Sequence, residues 1–383
     1  MSEYQFYHFQ VIDQPLNERQ MQELRNISTR ADITPTSFVN HYNWGDLKAN
    51  PRDLMWRYFD AHVYTANWGT HRLMLKIPRD LIDLDLAEQY CAEYFDIYVN
   101  KEHVILDFVS EDEAHAYDDM EEVGGWMASL LPLRDAIMQG DLRTLYLGWL
   151  ANVREEDDTE EPPLPPGMSQ LSGPLQTFAR FMRIDEHLLQ AAAQGDAPLL
   201  PDEPSAKEMA AWVSGLAASE KDDVLLALLA AKTESRHVIG PLRHRFYKDW
   251  RRFHPMPGTS SSRRTADEVW QIRERLAAEE KCRQMEQAAR ERAERERKAA
   301  EQRKQHLDSL ALRQASVWEE VTSLLTVSKQ DNYDAAVRLL GDLRDLATNS
   351  VRLAAWQARV AEFRQRYSRR PSLMQRFDKA GFP

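Results

Sequence analysis

The sequence predicts an α+β protein: an N-terminal antiparallel sheet with helices, then a helical domain, then a long charged helix, and a C-terminal helical bundle. Three observations carry this expectation. Short aromatic and β-branched runs separated by turn residues fill the first 110 positions. Apolar residues spaced three and four apart fill most of the remainder. Thr265 to Leu312 contains no Gly or Pro and consists almost entirely of good helix formers.

Residues 1–110 form the expected α+β domain. Tyr4 to Val11, YQFYHFQV, reads as a strand, and Leu16 to about Asn26 as a helix. A turn-rich segment leads to SFVNHYNW, after which Pro51 stands where a first helical turn tolerates proline, ahead of RDLMWRYFDAH. HVYTANW and RLMLKIP are strands around Gly69, Leu86 to Tyr94 is a helix, and FDIYV with HVILDFV make a hairpin around Asn100-Lys101-Glu102. This order suggests an antiparallel sheet backed by helices on one face.

Residues 111–153 read as a helical extension that opens on the acidic run EDEAHAYDDMEE, with Asp141 as an N-cap between two amphipathic helices. The acidic and then proline-rich segment 154–167 reads as an extended, exposed linker. An all-α domain is expected over 168–254, with a capping box from Ser205 to Glu208 and an apolar segment, KDDVLLALLAA, that belongs in a helical core. HPMPGTSSS, from His254 to Ser262, reads as a hinge.

The long helix spans 265–312, and Thr265 with Glu268 forms a capping box at its start. Opposite charges recur four apart, as in Glu279 with Arg283, Glu286 with Arg290, Glu291 with Arg295 and Glu294 with Lys298. An apolar stripe of Val269, Ile272, Leu276, Cys282 and Met285 gives way to Ala, Arg and Glu from Ala288 onward. The segment is a coiled-coil-like arm, with a lone helix, an intramolecular hairpin with the C-terminal helices, or a homodimer as its alternatives. Residues 313–383 follow as a helical hairpin or bundle with a basic tail.

Hydrophobic residues make up 43 % and charged residues 29 % of the chain, as in an ordinary globular protein. No basic segment followed by an apolar one opens the sequence, and no apolar run is long enough to span a bilayer, so neither export nor a membrane partner is expected. Cys91 and Cys282 are the only cysteines, which fits a reducing cytoplasm and excludes a Cys-cluster zinc site. Net charge is −12, but residues 241–383 carry 30 Lys plus Arg against 20 Asp plus Glu, which leaves 19 against 41 for residues 1–240. Such a split goes with one end meeting an anionic partner, with the two ends attracting each other, or simply with two differently solvated surfaces.

Phosphate-binding loops, metal-binding histidine pairs and nucleophile elbows are absent from the sequence, and no cofactor or metal is expected. Tyr42, Trp44, His62 and Trp68 mark an aromatic-rich surface for interaction. His41, His62 and His71 lie near Asp46 and Asp60, and Asp60 and His62 with Tyr42 or Tyr64 could make an acid and base pair, although an aromatic core with histidines at polar edges is the favoured explanation. Arg243, Arg245, Lys248, Arg251 and Arg252, interleaved with Phe246, Tyr247, Trp250 and Phe253, are candidate nucleic-acid contacts, as are Arg369 and Arg370 near the C-terminus. On a helix, however, Phe246, Trp250 and Phe253 share one face and would turn toward a core.

GDLRTLYLGWL at 140–150, PPLPPGMSQLSGPLQTFARFMRIDEHLL at 162–189 and NYDAAVRLLGDLRDLA at 332–347 resemble segments of bacterial proteins. The last is similar to a helix of a tetratricopeptide-type hairpin, without the 34-residue repeat of a full array. The resemblance implies a bacterial cytoplasmic setting and brings no activity. The function expected is a non-enzymatic adaptor or scaffold that binds a protein partner in a multi-component system. An accessory nucleic-acid-binding subunit using 243–254 and the basic tail is the first alternative. An enzyme with its site in the N-terminal domain is the second.

Overall fold

A computed structural model describes residues 4–111, 125–195, 204–230, 242, 245–246, 249–250, 264–349 and 352–383. The chain divides into two compact units, Met1–Glu279 and Glu280–Pro383. The expected acidic run after Glu111 and the hinge at 254–262 lie outside the described residues.

The first unit opens with β1 (Gln5–Gln10), α1 (Glu18–Ile27), β2 (Asp32–Ile33), β3 (Ser37–Tyr42) and α2 (Pro51–Arg57). β4 (Ala61–Ala66), β5 (Thr70–Pro78), α3 (Leu84–Ala87), β6 (Phe95–Val99) and β7 (His103–Glu111) follow. The strands make one antiparallel sheet in the order β2-β3-β1-β4-β5-β7-β6. Local chemistry starts the helices: Asn17 and Gln20 form a capping box on α1, and Asn50 caps α2 directly before Pro51.

Strand alternation sends apolar residues to both faces. Phe9, Phe38, Met74 and Ile105 bury on one side against Leu24 of α1 and Leu54 and Met55 of α2. Val63, Leu73, Leu75, Leu106 and Phe108 bury on the other. That second face is covered by α4 (Trp126–Leu130), α5 (Pro132–Met138), α6 (Arg143–Leu150), α7 (Gly173–Phe181) and α8 (Glu186–Ala193). Helices therefore pack on two faces where one was expected, and those up to residue 193 share the sheet's core.

The proline-rich segment also departs from expectation. Residues 154–156 are exposed, but 161–163 are buried. The Glu161 carboxylate accepts from Arg264 Nε at 2.8 Å, from Arg264 Nη2 at 2.7 Å and from the Tyr146 hydroxyl at 2.6 Å. Main-chain bonds from Glu161 N to Arg264 O, Ala266 N to Thr159 O and Asp267 N to Asp157 O complete a clamp on the start of the long helix at Ala266. Prolines suit such a buried course because they bring ring surface and no N–H to satisfy. The Tyr90 hydroxyl donates to Pro163 O at 2.6 Å.

α9 (Ala206–Gly215) begins with the expected Ser205–Glu208 capping box. α10 (Ala218–Ala230), expected in a core, buries no residue, and Leu225, Leu226 and Leu229 are 57, 63 and 84 % exposed. α11 (Ala266–Leu312) is the long helix, capped as expected by Thr265 and Glu268. Glu286 with Arg290, Glu291 with Arg295 and Glu294 with Lys298 form along it, while Glu279 pairs back to Arg275.

The second unit holds the later part of α11 with α12 (Gln314–Thr326), α13 (Gln330–Asn349), α14 (Leu353–Arg366) and α15 (Pro371–Lys379). Val321, Leu325, Leu340, Leu343, Val360 and Phe377 form its core, which Leu310 of α11 joins. Arg303 bridges Asp342 and Asp345, and His306 meets Asp342, so α11 packs on α13 at its C-terminal end while residues 281–306 are exposed.

A Cβ at Gly148 of α6 would lie 2.6 Å from Cε1 and 2.7 Å from Cδ1 of Phe108, whose ring stacks at 4.2 Å on Phe95. Both rings are fully buried, so a shift would disturb the packing around them. Gly148→Ala is expected to lower the unfolding free energy by about 1–3 kcal/mol in urea titration. A change within experimental error would show that the ring pair can shift.

Candidate functional site

Register alone assembles the aromatic cluster. On β1, Gln5, Tyr7 and Phe9 share a face, opposite Tyr42, Asn40 and Phe38 of β3 and opposite Ala66, Tyr64 and His62 of β4. Of the expected interaction residues, Trp44 is 73 % and Trp68 39 % exposed, and Tyr42 is half-buried with its ring edge-on to Tyr7. His62 does not belong with them. It is fully buried, stacked 3.8 Å from the Phe9 ring, and its Nδ1 lies 3.1 Å from the His8 carbonyl. Its Nε2 has no partner among the described residues.

Asp60 is also engaged elsewhere. Its Oδ1 lies 3.1 Å from Lys76 Nζ, and its Oδ2 accepts from the amides of Ile12 and Asp13 at 2.7 and 2.8 Å. Burial pushes the Asp60 pKa up, but Lys76, Arg134 and the two amides outweigh it and hold the carboxyl below its usual range. Tyr42, Asp60 and His62 are thus not a catalytic group: each has a different structural partner.

Among the described residues, concave sites beside the sheet include a pair that involves the residues discussed above. The larger, about 610 Å³, is lined in part by Asp13, Trp56, Asp60, Lys76, His103 and Arg134. Four of its charges are paired, Asp60 with Lys76 and Asp13 with Arg134. Arg134, 2 % exposed, grips Asp13 at 3.0 and 2.6 Å and donates through Nε to Lys76 O at 2.7 Å. Lys76 Nζ also donates to Met55 O at 3.1 Å. This network ties the loop after β1 to β5 and α5, and losing one member of such a buried pair costs on the order of 3–5 kcal/mol.

The second site, about 560 Å³ and open to solvent, is lined by Gln5, Tyr7, Gly45, Asp46, Tyr64 and Trp68. Gly45 has φ +82°, which turns the chain after β3 and places Asp46 over Tyr7. The Tyr7 hydroxyl donates to Asp46 Oδ1 at 2.6 Å, the Tyr64 hydroxyl to Gln5 Oε1 at 3.0 Å, and Gln5 Nε2 to Gly45 O at 2.8 Å. The Tyr7 and Tyr64 rings are 4.7 Å apart. Sequence reasoning marked Trp68 for interaction, placed Asp46 and Tyr64 only near a candidate acid and base pair, and missed Tyr7, although the alternation in YQFYHF was the available signal for it.

Of the basic candidates, Arg243, Lys248, Arg251 and Arg252 lie outside the described residues. Arg245 pairs with Glu220 and lies 5.3 Å over the Trp212 ring. Phe246 and Trp250 are buried, as their shared helical face implies. Arg369 is exposed, whereas Arg370 donates to the Leu325 and Thr326 carbonyls at the end of α12 and serves the bundle as a C-terminal cap.

Among the described residues there is no group of three metal-ligating side chains and no helix long and apolar enough to cross a membrane. Compared with protein-family models, curated proteins and solved structures, the chain matches none.

Burial, and secondarily the Arg72 guanidinium, push the His62 pKa from 6.5 down to about 3. Between those values the unfolded chain binds a proton that the folded chain refuses, so stability falls as pH drops through the window, by at most about 1.4 kcal/mol per pH unit. His62→Phe is expected to flatten this slope in urea titrations from about pH 7 to 4. An unchanged slope would mean that this imidazole protonates within the folded state.

Proposed function

We propose that the chain is a non-enzymatic adaptor or scaffold whose first unit binds a protein partner through the apolar sides of α9 and α10. The observation that carries this reading is the exposure of Leu225, Leu226 and Leu229 on α10. Burying one leucine is worth about 1.5–3 kcal/mol, so three left in water hold a free energy that a docked surface can recover. On α9, Met209 and Val213, one turn apart, are 43 and 44 % exposed.

Charge favours a protein over a lipid surface. Glu220, Asp222 and Asp223 stand at the start of α10, where an anionic bilayer would repel them. The nucleic-acid reading gains less support, since Arg245 and Arg370 already have partners within the fold. A bacterial cytoplasmic setting and a multi-component system belong to this proposal.

The test compares the tagged full chain with a variant carrying Leu225→Ser, Leu226→Ser and Leu229→Ser, both purified from bacterial cells with and without nuclease and quantified by mass spectrometry. Because these side chains are exposed, the unfolding midpoint should hold while partner recovery drops at least about tenfold. Equal recovery of the same proteins by both chains would contradict the proposal. Loss of every partner on nuclease treatment would favour nucleic acid instead.

A further inference from the structure

The open pocket beside Tyr7 has a composition that selects among ligands. Its lining contains one carboxylate, three aromatic rings and no Lys or Arg. Its hydroxyl donors are consumed internally, because Tyr7 donates to Asp46 and Tyr64 donates to Gln5. Burial, first, raises both tyrosine pKa values, and Asp46 adds to the rise in each, so the two phenols stay neutral. The nearest strand cation, Arg72, is already held by Asp107 at 2.8 and 2.6 Å. An anion would find no countercharge here. A cation finds the Asp46 charge and the aromatic lining of Tyr64 and Trp68, with the buried Tyr7 ring behind them.

The carboxylate geometry narrows the class further. Asp46 Oδ1 accepts from the Tyr7 hydroxyl and from Leu47 N at 2.7 Å, while Oδ2 makes no hydrogen bond among the described residues. A guanidinium fork wants both oxygens and would find one occupied. A primary ammonium is strongly hydrated and carries three donors that the rings cannot satisfy. A methylated ammonium carries its charge on a weakly hydrated surface and asks for few or no hydrogen bonds.

We propose that Tyr7, Tyr64 and Trp68, with Asp46 as counter-ion, form a binding site for a methylated ammonium group. Its elements come from β1, β4, the β4–β5 turn and the loop after β3, all in the first unit. The group can arrive on a free choline-type molecule or on a methylated lysine of a peptide. This site is separate from α9 and α10 and stands whether or not those helices bind a partner.

Isothermal titration of the full chain with choline chloride tests the site, with 3,3-dimethyl-1-butanol as the neutral isostere. Choline should bind at least about tenfold more tightly than the isostere, and Asp46→Asn and Trp68→Ala should each weaken choline by about tenfold. Unfolding midpoints of both variants should stay near that of the parent, since Asp46 and Trp68 are exposed. A matched pair of peptides, with trimethyllysine and with unmodified lysine, separates the sources: tighter binding of the methylated peptide than of choline assigns a modified chain, and the reverse assigns a free molecule. Equal affinity for choline and its isostere would overturn the proposal. So would unchanged affinity in both variants, or failure of both choline and the methylated peptide to bind at up to about 50 mM.

Discussion

A sheet that is apolar on both faces must be covered on both, and this constraint organises the first unit. β5 shows it most directly, since Leu73, Leu75 and Ile77 bury on one side and Met74 on the other. The short α1 and α2 suffice for the face that carries Met74 because large rings, Phe9, Phe38 and Phe59, fill it. The face that carries Leu73, Leu75 and Ile77 needs five helices, and it still recruits Met168 from beyond the proline-rich segment and Ala266 and Val269 from the start of α11. The Glu161 carboxylate, held by Arg264 and Tyr146, is where that closure is made. The long helix therefore starts from a rigid buried point.

Features that depend on neighbours in sequence were legible; features that depend on distant partners were not. The extent of α11, its capping box and several of its ion pairs follow from residues three or four apart. The antiparallel sheet followed from strand alternation and turns. The acidic half of the segment 154–167 is largely exposed as expected, but 161–167 was misread because proline-rich composition looks solvated until Arg264, 103 positions from Glu161, is brought to it. α10 was misread for the opposite reason: hydrophobicity records that an apolar surface needs a partner, and says nothing about whether the same chain provides one. The pocket at Tyr7 and Asp46 was invisible because 39 positions and a glycine turn separate the two.

Charge tells a similar story. The excess of Lys and Arg after residue 240 suggests an anionic partner, yet many of those cations answer carboxylates or carbonyls within the second unit. Arg303 serves Asp342 and Asp345, Arg376 serves Asp334, Arg364 serves Asp378, and Arg370 serves the end of α12. These pairs are largely exposed and individually weak, so they fix helix register more than they add stability. Among the described residues, the large apolar side chains left exposed include the α10 leucines and the Trp68 ring at the pocket beside Asp46.

Site-specific photo-crosslinking in living bacterial cells tests the central proposal most directly. A photoreactive residue in place of Leu226 lies at the middle of the exposed leucines, and one in place of Glu93, also exposed but polar, serves as the control. If α10 is a docking surface for protein, discrete protein adducts form at 226 and not at 93. The absence of adducts at 226, or the same diffuse pattern at both positions, would contradict it.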